Sequence, residues 1–372
     1  MPYYLDLLFK PRLDGGELKP KELESGGVDL FDLGLIQNVI AGQPLANWRE
    51  VGADEAKSLR PELLFASTDF PMGPGVMLNP GDKNQLLSGV NGAVSFSGGK
   101  IEVRQVIRHE GDVGPRSGNI FFVGDFQATG TVHSGYKLQA RNVRIADAES
   151  GSQIKAQESL FIENGVIGSP KTVMEAGANL RAGFCENAIL IARGNMLIEK
   201  SCVNCKIYAG PYLAVRGTLT GRKAYVREKL YVGERLGSKM GANTQIVIGF
   251  DPSLLVKAKM LELAVRELRR RQDEYQRQVD AGDNQTDEFA RRLDNAMTKM
   301  TLLVQQKRLV WDQIAATTSS LEDGECCVIV PGQIYPGVEI SIGPYHYEVE
   351  EPMQNVRLSV KDHEITITSP AS

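Results

Sequence analysis

An apolar residue, a spacer and an alanine recur at a nearly fixed interval through the middle of this chain. The triplets are Leu138–Ala140, Ile154–Ala156, Met174–Ala176, Leu190–Ala192 and Ile207–Ala209, with imperfect copies ending at Val123 and Arg227. A few residues after each comes a second apolar–x–apolar pair, such as Val143/Ile145, Leu160/Ile162 or Leu213/Val215. Two short alternating strands repeated every ~16–20 residues predict a solenoid, because alternation puts every second side chain on one face of a strand. Stacked coils, about 4.8 Å apart, bury those faces in one continuous core. Alanine at a fixed place predicts a narrow interior there, with Ala140, Ala156, Ala176, Ala192 and Ala209 one above another. Gly135, Asn142, Gly151, Asn164, Gly165, Gly194, Asn195, Gly210 and Gly217 fall between the pairs and read as corners needing positive φ. A strict six-residue beat is absent, so residues 93–250 read as a right-handed parallel β-helix.

At Asp251 the period changes. Asp251 reads as an N-cap and Pro252 as the first helical position. Leu254, Ala258, Leu261, Val265, Leu268, Gln272, Tyr275 and Val279 then step alternately by four and three. After the polar break "AGDNQ" the same stepping returns in Phe289, Leu293, Ala296, Met300, Leu303, Lys307, Val310 and Ile314. Two heptad helices joined by a short turn predict an antiparallel coiled-coil hairpin over 251–318, with Gln272 and Lys307 as register-setting polar seam positions. Alternation resumes in "ECCVIVPGQIYPGVEISIGPYHYEVEE", so 319–372 reads as a β segment that caps or extends the β-helix. The first 92 residues read as a small α+β adaptor domain.

Composition narrows the functional classes. A formal net charge of −4 gives no general attraction to nucleic acid. No stretch reaches the ~18–20 consecutive apolar residues of a membrane span. The opening "MPYYLDLLFKPRLDGG" turns charged too early for a secretory leader, and the five cysteines, an odd number, suit reduced thiols. A cytoplasmic protein is the expectation.

The reactive residue types form no recognisable constellation. Cys202-Val-Asn-Cys205 has metal-pair spacing, and Cys185 lies about one coil earlier, but no second pair supplies the remaining ligands of a structural zinc. The expectation is therefore no metal, no cofactor and no catalytic residue. His109, His133, His346 and His363 are scattered, none in a nucleophile motif. Asp125, Asp147, Glu149 and Glu163 are the candidates for a carbohydrate-active β-helix enzyme, but their offsets from the triplets are not uniform. "GSKMG" at 237–241 lacks the pattern of a phosphate loop. The basic run "RELRRRQ" contains i,i+4 pairs, Glu262–Arg266 and Glu267–Arg271, and reads as a solvated helix face.

Several segments together resemble one family. "DLGLIQNVIAGQPLA", "EGDVGPRSGNIFFVGDF", "VGERLGSKMGANTQIVIGFDP" before the coiled coil and "IYPGVEISIG" after it are similar to the flagellar assembly protein A family. This is a bacterial family also catalogued as a domain of unknown function. The resemblance implies a right-handed β-helix and a role in building or placing flagella or envelope machinery. It implies no catalytic site, so no residue role is carried over. The resulting expectation is a non-enzymatic scaffold that binds other proteins or itself as a homo-oligomer. Its assembly residues would be Leu254, Leu261, Val265, Leu268, Phe289, Leu293, Met300, Leu303 and Ile314 of the hairpin. A filament-forming β-helix is the remaining alternative.

Overall fold

Alternation along the strands decides the architecture. In the computed structural model, which describes residues 2–11, 21–22, 28–29, 31, 33–280, 286–319 and 324–370, the repeat forms a parallel β-solenoid interrupted by two long helices. The chain makes two units, Met1–Ile189 and Leu190–Ser372.

The first unit opens with antiparallel sheets. Tyr3–Leu7 and Asp82–Ser88 flank Pro44–Glu50, while Gly92–Ser97 is flanked by Asn38–Val39 and Lys100–Arg104. Leu5, Leu45, Trp48, Leu86, Ile101 and Val103 are buried in their common core. Among the described residues of this region helix is limited to α1 (Ala53–Ala56) and a 3-10 turn at Pro61–Leu63, so the expected small α+β domain carries most of its structure in sheets. It also runs on to Arg104, beyond the expected boundary at 92. Parallel stacking begins where Val106–His109 meets Asp125–Ala128. Asn38 closes the exposed edge of the next strand as a backbone would. Its Nδ2 donates to the Phe121 carbonyl, and the Val123 N–H donates to its Oδ1.

Within this unit Leu138, Ile154 and Met174 stack in register, and so do Ala140, Ala156 and Ala176. The ladder starts at Ile120 and Phe122, one residue before the triplet expected to end at Val123. Phe122 is 1% exposed, and the apolar run "IFFV" hid the register. A second ladder runs Val143–Leu160–Leu180 and Ile145–Ile162–Ala182. A third ladder was not expected. Val132, Ala148, Val166 and Cys185 also stack, after register shifts at Ile145/Asp147 and Ile162/Gly165. Each coil thus has three faces rather than two.

The second unit repeats the plan. Ile207, Ala224, Ile246 and Ile340 form one ladder, and Ala209, Val226, Ile248 and Ile342 its neighbour. Val226, not Arg227, follows Ala209. Ala192 precedes it, since the Gly210 N–H donates to the Ala192 carbonyl. The interior therefore widens here from alanine to isoleucine. Met196–Leu213–Leu230–Val328 line the second face and Cys202–Leu219–Leu236–Ile334 the third.

The helices occupy a corner. Thr244–Ile248 stacks on Arg222–Val226, and Cys327–Ile334 stacks on Lys229–Val232. Two residues, Arg227 and Glu228, turn that corner in the earlier coil. In the later one α2 (Pro252–Asp280) and α3 (Thr286–Ser319) are inserted instead, and the strands on either side keep their register. Asp251 caps α2, its Oδ1 accepting from the Ser253 N–H at 2.9 Å. Growth of the parallel sheets ends with antiparallel strands, Met353–Lys361 on Cys327–Ile334 and Tyr345–Glu348 on Val338–Ile342.

The corner glycines act by sterics more than by dihedral freedom. Gly135 and Gly151 do have positive φ, +82° and +80°. Gly210 and Gly217 do not, nor does Gly165, which lies inside the strand Leu160–Ile167 rather than at a corner, and each sits where the neighbouring coil leaves no room for a β-carbon.

Candidate functional site

Two long helices project a surface that the solenoid repeat does not supply. The 29 residues of α2 span about 43 Å at 1.5 Å per residue. It packs along α3, and on both helices the four–three positions are among the less exposed. Ala258, Phe289, Ala296 and Val310 are buried, while Leu254, Leu261, Val265, Leu268, Leu293, Met300, Leu303 and Ile314 are partly buried. Gln272 and Lys307 lie in the same stripe, both partly buried.

Two apolar rows of α3 lie outside that stripe: Leu302 with Leu309, 53% and 62% exposed, and a longer one. Met297, Val304 and Trp311, spaced by seven, are 47%, 50% and 48% exposed. Seven residues make nearly two helical turns, so all three lie on one flank of α3. At the hairpin base Trp311 lines a groove of about 470 Å³ with Leu255 and Ala258 of α2 and with Tyr208 and Tyr225 of the solenoid. The two tyrosines come from successive coils and stack at 5.2 Å with an 11° interplanar angle. Lys206 and Lys223 lie over their rings, each 5.4 Å from the centroid. Burial pushes the Tyr208 hydroxyl pKa up, with Lys259 opposing.

The groove is cationic. Lys206, Lys259, Arg266 and Lys307 line it against a single carboxylate, Glu262. Arg266 bonds to Glu262 and holds its carboxyl below the usual range, with Lys307 and Lys259 adding to the effect. The basic run in the sequence reaches the groove only through Arg266. Glu267 engages both Arg270 and Arg271, which leaves that face locally compensated.

The other candidate groups are engaged in structure. Cys185 lies beneath the third face of its coil; Cys202 stacks on Leu219, and the Cys205 thiol donates to the Val203 carbonyl. No group of three or more His, Cys, Asp or Glu side chains among the described residues could hold a metal ion. Asp125 takes a two-pronged bond from Arg141, which lowers its pKa; Glu163 pairs with Arg144, and Asp147 accepts from Asn164. His133 sits between Asp112 and Glu149, at 3.0 and 3.2 Å. His109 bonds to the Asp112 carbonyl, His346 lies 3.2 Å from Ser341 Oγ and His363 pairs with Tyr345. The groove escaped the sequence reading because Tyr208, Tyr225 and Trp311 meet only through the fold. The heptad spacing of Met297, Val304 and Trp311 was the available signal.

No described helix is long and apolar enough to cross a membrane. The profile of the Flagellar Assembly Protein A beta solenoid domain matches residues 105–365. No curated protein and no solved structure matches the chain.

Proposed function

Because this chain belongs to the Flagellar Assembly Protein A β-solenoid family, we propose that it acts in flagellar assembly as a non-enzymatic scaffold in the cytoplasm. The solenoid is the rigid body, the α2–α3 hairpin is a coiled-coil arm for a partner or a second copy, and the N-terminal sheets are the adaptor. Recognition would then use preformed surfaces with little rearrangement. One observation carries the reading: the hairpin replaces a single corner without disturbing strand register, yet exposes apolar residues that its own seam does not use. The candidate carboxylates also each have a structural partner, which favours a scaffold over a polysaccharide-cleaving site.

The test is genetic. Residues 252–319 are replaced by a short glycine linker in the native gene, and flagella are counted by electron microscopy. Fewer or misplaced flagella, with the protein still present at its usual level, are expected. Normal number and placement would refute the arm.

A further inference from the structure

We infer that the flank of the hairpin carrying Met297, Val304 and Trp311 docks an acidic amphipathic helix of a partner protein. The inference deepens the arm reading above and rests on it.

The shape comes first. From Met297 to Trp311 the apolar row extends about 21 Å along α3, at 1.5 Å per residue. A two-helix seam needs only the a and d positions, and this row adds the e position, the wider stripe found on helices that pack against more than one neighbour. At its basal end the row opens into the groove floored by Tyr208 and Tyr225. A strip of that length with a pocket at one end fits a helix of about four turns, its apolar face on the row and one large side chain in the groove.

Charge selects the occupant. Lys259 and Lys307 have no ion-pair partner among the described residues, and Glu262, the carboxylate that lines the groove, is bonded to Arg266. Lys206 adds a further cation from the solenoid. This surplus stands against a chain whose net charge is −4. Two copies joined in parallel through this flank would bring the same lysines face to face, and joined antiparallel they would leave both sets without an acidic partner, so like charge disfavours self-pairing. An acidic helix meets no such opposition.

The full chain is titrated with three synthetic peptides of about 18 residues, long enough to cover the row. They share one leucine stripe and carry glutamate, glutamine or lysine on the flanks. Trp311 emission is the readout. Trp48, the second of the two tryptophans, is buried, and the Trp311→Phe chain supplies the blank. The acidic peptide is expected to shift Trp311 emission to the blue and to bind at least about ten-fold tighter than the basic one at low salt, with the gap closing as salt rises. The Lys259→Glu/Lys307→Glu double variant, checked for folding by circular dichroism, should reverse that order. Equal affinities, or binding by none of the three, would overturn the inference. So would a blue shift growing with protein concentration alone, together with a dimer in sedimentation, since a second copy would then be the occupant. If that occurs while the hairpin-less strain has fewer or misplaced flagella, only the occupant is wrong; a normally flagellated strain removes the arm itself.

Discussion

At Gly210 a β-carbon would lie 2.0 Å from the Arg193 carbonyl oxygen. That oxygen is backbone in a paired coil, so it cannot swing aside as a flexible side chain would. Gly210→Ala should therefore cost about 3 kcal/mol, read as a lower urea midpoint, the scale of substitutions that force backbone strain. His133 makes a different kind of residue-level contribution. The Glu149 carboxylate, with Asp112 on the other side, raises the imidazole pKa above its ordinary 6.5. The raised value means that stability from this group is fully present below about pH 6.5 and is lost as pH climbs through the folded-state value. Asp112 runs the opposite way. The Thr131 N–H, and then His133, lower its pKa, so its contribution is present above its ordinary 3.8 and disappears on acidification. His133→Gln should therefore lower the thermal midpoint at about pH 6 and leave it nearly unchanged at about pH 9. A deficit that widened with pH would reverse the assigned sign. Gly135, Gly151, Gly210 and Gly217 are legible as breaks between strands, but Gly165 falls inside one, and the close approach of a neighbouring coil is invisible until the coils are stacked.

Elements differed in how plainly they could be read. The ladder of Leu138, Ile154 and Met174 was legible because apolar and small residues alternate cleanly there. The third strand of each coil was not, since segments as short as Ser201–Val203 or Arg235–Leu236 look like parts of a corner. Register slipped by one residue at Phe122 and at Val226, where apolar neighbours make two alternations equally plausible. The helices were read from four–three stepping, and the Asp251 cap from its place before Pro252. Their exposed row was overlooked because one seam already accounted for the heptad pattern. The C-terminal strands could be recognised as β, but only pairing shows that they run antiparallel and end the parallel sheets.

For the molecule as a whole, the order of segments was readable, and the groove was not. Lys206 and Lys307 are about a hundred residues apart, and their shared surface exists because the hairpin is inserted beside the tyrosine-bearing coils. The account therefore depends on the hairpin being an appendage to a solenoid that stands without it. Hydrogen exchange, followed by mass spectrometry on the full chain and on the chain with 252–319 replaced by a short linker, tests this most directly. Amides in Lys206–Ala209, Arg222–Val226, Thr244–Ile248 and Val338–Ile342 should remain as protected in the shortened protein as in the full one. Loss of protection across those strands would contradict the account, because the helices would then be holding the solenoid together.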